Sequence, residues 1–415
     1  MKRFSIVLVL ALVAALGLSA LAQAQVTLSY RFWDLNQAPA MEAIARAFEA
    51  KNPGIKIEIE VIPWSQYWTN LETAATGRNL PDVFWLNATN FELYASNNML
   101  VPLDDWLAKS DLISLDDYPP ALAAIYNYRG KQYAIPKDMD TIGLWYNKEL
   151  FDAAGIPYPN ADWTWDDFRE AAIALTDEEN QVWGFAAELS LQSGFGNTIY
   201  QAGGYVVNED RTKAGLAEPE AIEGLKFWTD LINVDKASPS MAQMTDTEPI
   251  SLFESGRAAM YFTGSWNAVR FNANEYTKDR VDVTVLPKGK QRAVIIHGLG
   301  NVIAANTKHR EEAWKFVEFL GSREAMEIQA ATGTVIPSYM ALQDTWVKSI
   351  PQFNLQIFLD QIEWAVPYPV SVRARHWQQL LTDCLTPAWA GEISIEEAAQ
   401  EAQRQVQEVL DSERR

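Results

Sequence analysis

Trp33 is followed at once by Asp34, Trp64 and Asn87 come later, Asp138 and Asp140 stand two residues apart, and Trp266 follows Gly264 and Ser265. Aromatic rings next to planar polar groups can hold a sugar: the C–H faces of a pyranose pack on an indole, and its hydroxyl rim both donates to and accepts from Asp, Asn or Arg. Small-molecule pockets generally combine such apolar walls with a few placed polar groups. Each residue also has a structural reading. Trp33, Trp64 and Trp266 could be packing residues, as most tryptophans are. Asp34 could cap a helix, Asn87 and Asn90 could sit in turns, and Lys137-Asp138-Met139-Asp140 could be a solvated turn. Near the C-terminus, Trp364, Tyr368, Arg375 and Trp377 form an aromatic and basic stretch that suits either ligand contact or a lobe interface.

Other chemistries find little support. The three histidines, His297, His309 and His376, are not grouped with cysteines or spaced as a metal site. Neither a phosphate-binding Walker loop nor a G-x-S-x-G elbow occurs, so no cofactor or metal is implied. Paired carboxylates stay open, because among 54 Asp and Glu two can always meet in space.

Strand ends must position these residues. Val26, Leu28, Tyr30 and Phe32 alternate as a strand, and Met41, Ile44, Ala45 and Phe48 repeat as a helix ended by Asn52-Pro53-Gly54. Ile55, Ile57, Ile59 and Val61 form a second strand, Trp64, Tyr67, Trp68 and Leu71 a second helix, and residues 82–86 a third strand. This β-α-β-α-β order predicts a parallel sheet, whose ligands bind beyond the carboxyl ends of the strands. Trp33-Asp34, Trp64 and residues 87–90 all fall there. Short strands at 133–136 and 142–146 suggest a crossing between lobes. Thr164 and Asp167 start a further helix with a capping box, and residues 219–234 form another. Strands return at 281–286 and 293–305, a helix follows around Ala313, Phe316, Val317 and Leu320, and Ser394 and Glu397 open the last one.

Composition sets the compartment and the partners. Lys2 and Arg3, an apolar run over 6–18 and Ala22-Gln23-Ala24 read as a cleaved secretory signal, 1–24. The formal charge is -20, and losing the two basic residues makes the mature chain more acidic, so nucleic acid and anionic lipid are poor partners. Cys384, the only cysteine, is far from the cleavage boundary and can form no internal disulfide. The expectation is a periplasmic protein without lipid anchor or stable membrane insertion. Its length suggests two or three domains, at roughly 150 residues each.

The order of several stretches carries a resemblance: Phe-Glu-Ala-Lys-Asn-Pro-Gly (48–54), Pro-Asp-Val-Phe-Trp-Leu-Asn (81–87), Tyr-Ala-Ile-Pro (133–136), Leu-Trp-Tyr-Asn-Lys-Glu-Leu-Phe (144–151) and Ala-Ala-Gly-Ile-Pro (153–157). Phe-Glu-Ser-Gly-Arg-Ala-Ala-Met (253–260), Gly-Ser-Trp (264–266), Glu-Ala-Trp-Lys-Phe (312–316) and Ala-Val-Pro-Tyr-Pro (365–369) continue it. The whole mature chain resembles the family 1 extracellular solute-binding proteins, the carbohydrate-binding components of ABC importers. The resemblance implies an α/β fold of the type II periplasmic-binding-protein kind: two lobes, each a mostly parallel sheet flanked by helices, joined by a hinge of several crossings. The lobes would be 25–138 plus 298–335, and 139–297 plus 336–415. It further implies a monomer that closes on a carbohydrate and presents it to ABC permease subunits, without catalysis. Carried over, Trp33, Asp34, Trp64 and Asn87 become first-lobe contacts, Asp140 a cleft residue past a crossing, and Trp266 and the Trp377 region stacking groups of the second lobe. Asn90, Asp138, His297, Tyr368 and Arg375 complete the candidate ligand set. Relatives often carry an aromatic where this chain has Gly196 and Asn where it has His297. Rival readings are a polyamine held by Asp34, Asp138 and Asp140, a glycerophosphodiester, for which no basic cluster is evident, and a secreted glycoside hydrolase.

Overall fold

Along the strand Val26–Phe32, Leu28, Tyr30 and Phe32 point into the core and alternate with more accessible residues, so one face of the strand is committed to packing. The computed structural model describes residues 25–414; the expected signal segment lies outside them. Val26–Phe32 pairs in parallel with Ile55–Val61 on one side and Val83–Asn87 on the other, as the sequence pattern predicts. Helix Ala38–Lys51 turns Met41, Ile44, Ala45 and Phe48 onto this sheet, and helix Trp64–Thr76 turns Tyr67, Trp68 and Leu71 inward. The sheet is completed from far along the chain. Leu299–Ile303 runs antiparallel to Val83–Asn87 and to Ala134–Pro136, giving the order Ile55–Val61, Val26–Phe32, Val83–Asn87, Leu299–Ile303, Ala134–Pro136.

A second sheet has the order Val281–Thr284, Ile142–Asn147, Ala258–Gly264, Trp183–Phe185. It is mixed: the first two pairings are antiparallel and the last is parallel. Its core joins Leu144, Phe168, Phe185, Trp228 and Phe262 to Trp377 and Trp389 of the helix Ala374–Trp389. The capping box of Thr164 and Asp167 opens helix Trp165–Ala174. That helix lies so close to Trp183–Phe185 that a Cβ on Gly184 would sit 1.9 Å from the Ala172 carbonyl oxygen. Only glycine permits the approach.

Three segments cross between the lobes. Asp138–Met139 leads from Ala134–Pro136 into Ile142–Asn147, and Ile336–Pro337 pairs with it antiparallel. The stretch expected as one strand over 293–305 divides into Val294–Ile296 and Leu299–Ile303. It breaks at His297 and Gly298, where a Cβ on Gly298 would lie 2.2 Å from the Asp138 carbonyl oxygen. Asp140 N donates to His297 O at 2.8 Å and His297 N to Asp140 O at 3.1 Å, so two crossings are bonded side by side. Among the described residues no helix is long and apolar enough to cross a membrane, and no group of His, Cys, Asp and Glu could hold a metal.

Candidate functional site

The carboxyl ends of the first three strands open onto a cleft of about 300 Å³ that the second lobe and the crossings close from the other side. From the first lobe come Trp33, Asp34, Gln37, Trp64 and Asn87. Gln192, Ser265 and Trp266 come from the second, and Asp138, Asp140 and His297 from the crossings. Of the residues expected from sequence, this cleft gathers Trp33, Asp34, Trp64, Asn87, Asp138, Asp140, Trp266 and His297.

Trp33 sits edge-on to four rings, Trp64, Tyr67, Trp85 and the more tilted Trp68, at centroid distances of 5.2, 4.9, 5.2 and 5.5 Å. Trp64 is 52% exposed, so a ring supported from behind offers its surface at the rim. Across the cleft, Trp266 folds over its own strand end: a Cβ on Gly264 would fall 1.8 Å from the indole. Glycine at 264 is therefore a condition for the position of Trp266. Most other tryptophans do the packing work the sequence allowed for, since Trp85, Trp145, Trp228, Trp346, Trp377 and Trp389 are fully buried and Trp68, Trp183 and Trp314 nearly so.

The polar groups are held as firmly. Asn87 caps helix Ala88–Ser96 by accepting from Asn90 N at 3.2 Å and Asn90 Nδ2 at 2.8 Å. Its own amide Nδ2 has no hydrogen-bond partner among the described residues. Ala88 N donates to His297 Nε2 at 3.2 Å, which leaves the ring proton on Nδ1, 3.6 Å from Asp140 Oδ2. Gln192 Nε2 donates to Asp140 Oδ1 at 2.8 Å. Burial pushes the Asp140 carboxyl above its ordinary range, opposed by the nearby His297 ring and by the hydrogen bond from Gln192. Lys137 is buried and its Nζ donates to Asp138 Oδ2 at 2.6 Å, so 137–140 is no solvated turn. One of the three carboxylates expected to make the cleft acidic already has its cation.

Four expected residues lie elsewhere. Asn90 serves the cap of its own helix. Tyr368 is buried behind the cleft, edge-on to His297 at 5.1 Å, and burial raises its phenol to about 12. Arg375 pairs at 2.5 Å with Glu72 at a separate cavity shared with Arg373 and His376. Trp377 lies in the second-lobe core, donating from Nε1 to Ser371 Oγ at 2.9 Å. Its place was readable, because Ala374, Trp377, Leu381 and Leu385 repeat at the spacing of a buried helix face. Sequence reasoning in turn missed Gln37, Gln192 and Ser265. Only Ser265 left a trace, inside the Gly-Ser-Trp stretch.

Two α/β lobes, three crossings and a cleft at the strand ends lined from both lobes define a two-lobed solute receptor. The chain belongs to the bacterial extracellular solute-binding proteins, whose family profile matches residues 33–327. A maltotriose-binding protein of Pyrococcus abyssi is 27% identical over 76% of this chain and 67% of its own length. The ABC substrate-binding protein of Listeria monocytogenes solved with cycloalternan is 27% identical, has a TM-score of 0.88, and aligns over 93% of this chain and 99% of that one. The GacH receptor of Streptomyces glaucescens, solved unliganded and with acarbose, is 23% identical with a TM-score of 0.82 over 93% and 99% of the two chains. The fold is thus the type II periplasmic-binding-protein fold.

Proposed function

We propose that this chain captures a neutral sugar or short oligosaccharide between its lobes and delivers it to the permease subunits of an ABC importer, working in the periplasm as a monomer. The observation that carries the reading is the facing of indoles across one cleft, Trp33 and Trp64 from one lobe and Trp266 from the other, with amide, carboxylate and hydroxyl groups between them. Only a closed arrangement lets both sides touch one ligand, so the ligand shifts a hinge equilibrium by its differential affinity. The lobes are taken as 25–138 plus 298–335 and 139–297 plus 336–415. No bond of the ligand is broken in this scheme. The pairing of Lys137 with Asp138 removes a charge that a polyamine would need, which favours a neutral ligand.

A thermal-shift panel on residues 25–415 tests it, with maltotriose, other neutral mono- and oligosaccharides, polyamines and glycerophosphodiesters. A ligand a thousandfold above its dissociation constant should stabilise the protein by about 4 kcal/mol. The expected result is a shift with one group of neutral sugars and no release of reducing ends on incubation. Shifts confined to polyamines, or hydrolysis of the sugar, would overturn the proposal.

A further inference from the structure

Gln37 occupies the N-cap position of helix Ala38–Lys51, where Ser, Thr, Asp or Asn usually serve, yet its side chain makes no cap hydrogen bond. The helix forgoes the side-chain contribution because that amide is engaged elsewhere. Gln37 is almost fully buried, at 3% exposure, and its two amide atoms reach in different directions. Oε1 accepts from Lys137 Nζ at 2.6 Å, and Nε2 donates to Asp34 Oδ2 at 2.7 Å. Lys137, 1% exposed, also donates to Asp138 Oδ2 and lies 4.2 Å from the centre of the Trp85 ring. Asp138 Oδ1 accepts from Leu299 N at 2.7 Å, so the cation is fixed where two crossings meet. The second Asp34 oxygen accepts from Asn36 N at 2.9 Å.

We infer that Lys137 and Gln37 are positioning residues that set the direction of hydrogen bonding at the Asp34 carboxylate, and so make it an acceptor for a ligand hydroxyl. This rests on the carbohydrate reading of the cleft. An ammonium only donates, so the atom of Gln37 facing it must be the carbonyl oxygen, and the NH₂ is then committed to Asp34. A carboxylate that receives this donor presents its remaining lone pairs to the cleft. Without the lysine, the amide could turn over and offer Asp34 an oxygen, which would repel the carboxylate or require its proton. The relay also ties the end of the first strand to the hinge, since Lys137 is held by a backbone bond from its own N to Leu299 O at 2.8 Å.

The test uses Gln37→Glu, Gln37→Met and Lys137→Met in the full mature chain. Gln37→Glu is the decisive variant, because its carboxylate can still pair with Lys137 Nζ but cannot donate to Asp34. In Gln37→Glu an oxygen faces Asp34, so the relay predicts a melting temperature lowered at neutral pH and recovering as the pH falls and the two carboxylates share a proton, together with maltotriose affinity lowered about tenfold or more, the usual loss for a hydrogen bond to a charged group. A merely structural Gln37 would lower stability and leave the affinity of the folded protein unchanged. Gln37→Met should weaken binding less, having neither donor nor like charge. A second readout needs no sugar: the side-chain amide protons of Gln37, followed by ¹⁵N NMR, should exchange slowly in the wild type and quickly in Lys137→Met. Wild-type affinity in Gln37→Glu, or fast exchange of the wild-type amide, would overturn the relay. A protected wild-type amide that Lys137→Met exposes, in a protein that no sugar stabilises, would sustain the relay and sink the carbohydrate reading instead.

Discussion

Ser265 lines the cleft with a buried hydroxyl that has no hydrogen-bond partner among the described residues. Such a group costs about 1–3 kcal/mol in desolvation until something bonds to it, and a ligand hydroxyl is a fitting partner. Ser265→Ala should therefore leave the ligand-free protein as stable or slightly more stable while lowering sugar affinity several-fold. Calorimetric melting and titration of the same variant separate the two effects, and a loss of stability without a loss of affinity would assign Ser265 to packing. Its neighbour acts by area instead of by hydrogen bonding. Trp266→Ala should weaken binding by about 2 kcal/mol or more, the cost of truncating an aromatic anchor; unchanged affinity in a folded variant would remove Trp266 from the site.

Elements explain why some residues of suitable chemistry stand outside the cleft. Helix Ala374–Trp389 buries Trp377 with Ala374 and Leu381 in the second-lobe core, and Arg375, on another face, pairs with Glu72. Both partners of that pair are substantially exposed, with 40% and 53% of their side chains accessible, so the bond is worth little. Arg375→Ala is expected to keep sugar affinity within about threefold, as rim charges of small worth do; a larger loss would return Arg375 to the ligand set. The crossings carry a different sensitivity. Because burial raises the Asp140 carboxyl, the folded chain favours its protonated form, and the native state holds the more protons once the pH exceeds the ordinary carboxylate value. That contribution is complete at acid pH and fades as the pH rises through the folded midpoint. Melting curves between about pH 4 and 7 should show Asp140→Asn gaining on the wild type as the pH increases. A constant difference would mean that Asp140 titrates as an ordinary carboxylate.

At the scale of the molecule, what could be read in advance was what local pattern determines. Alternation in 26–32 and 55–61 with helical spacing between them is enough for a parallel sheet, and the sheet is enough to point to Trp33, Asp34, Trp64 and Asn87 at its carboxyl edge. The bond between Lys137 and Gln37 was invisible for the opposite reason: it joins residues a hundred positions apart, and neither sits in a periodic run. The division at His297 and Gly298 was equally hidden, because its cause is the close approach of the Asp138 carbonyl from another crossing. The strand Leu299–Ile303 between Val83–Asn87 and Ala134–Pro136 has a consequence in time as well as in space. As synthesis proceeds from the N-terminus, those two strands wait with open edges until the segment that separates them has been made, after every strand of the other sheet. Long-range closure of this kind slows folding and leaves apolar edges exposed meanwhile. A nascent chain of this topology thus stays vulnerable to clumping until late in its production.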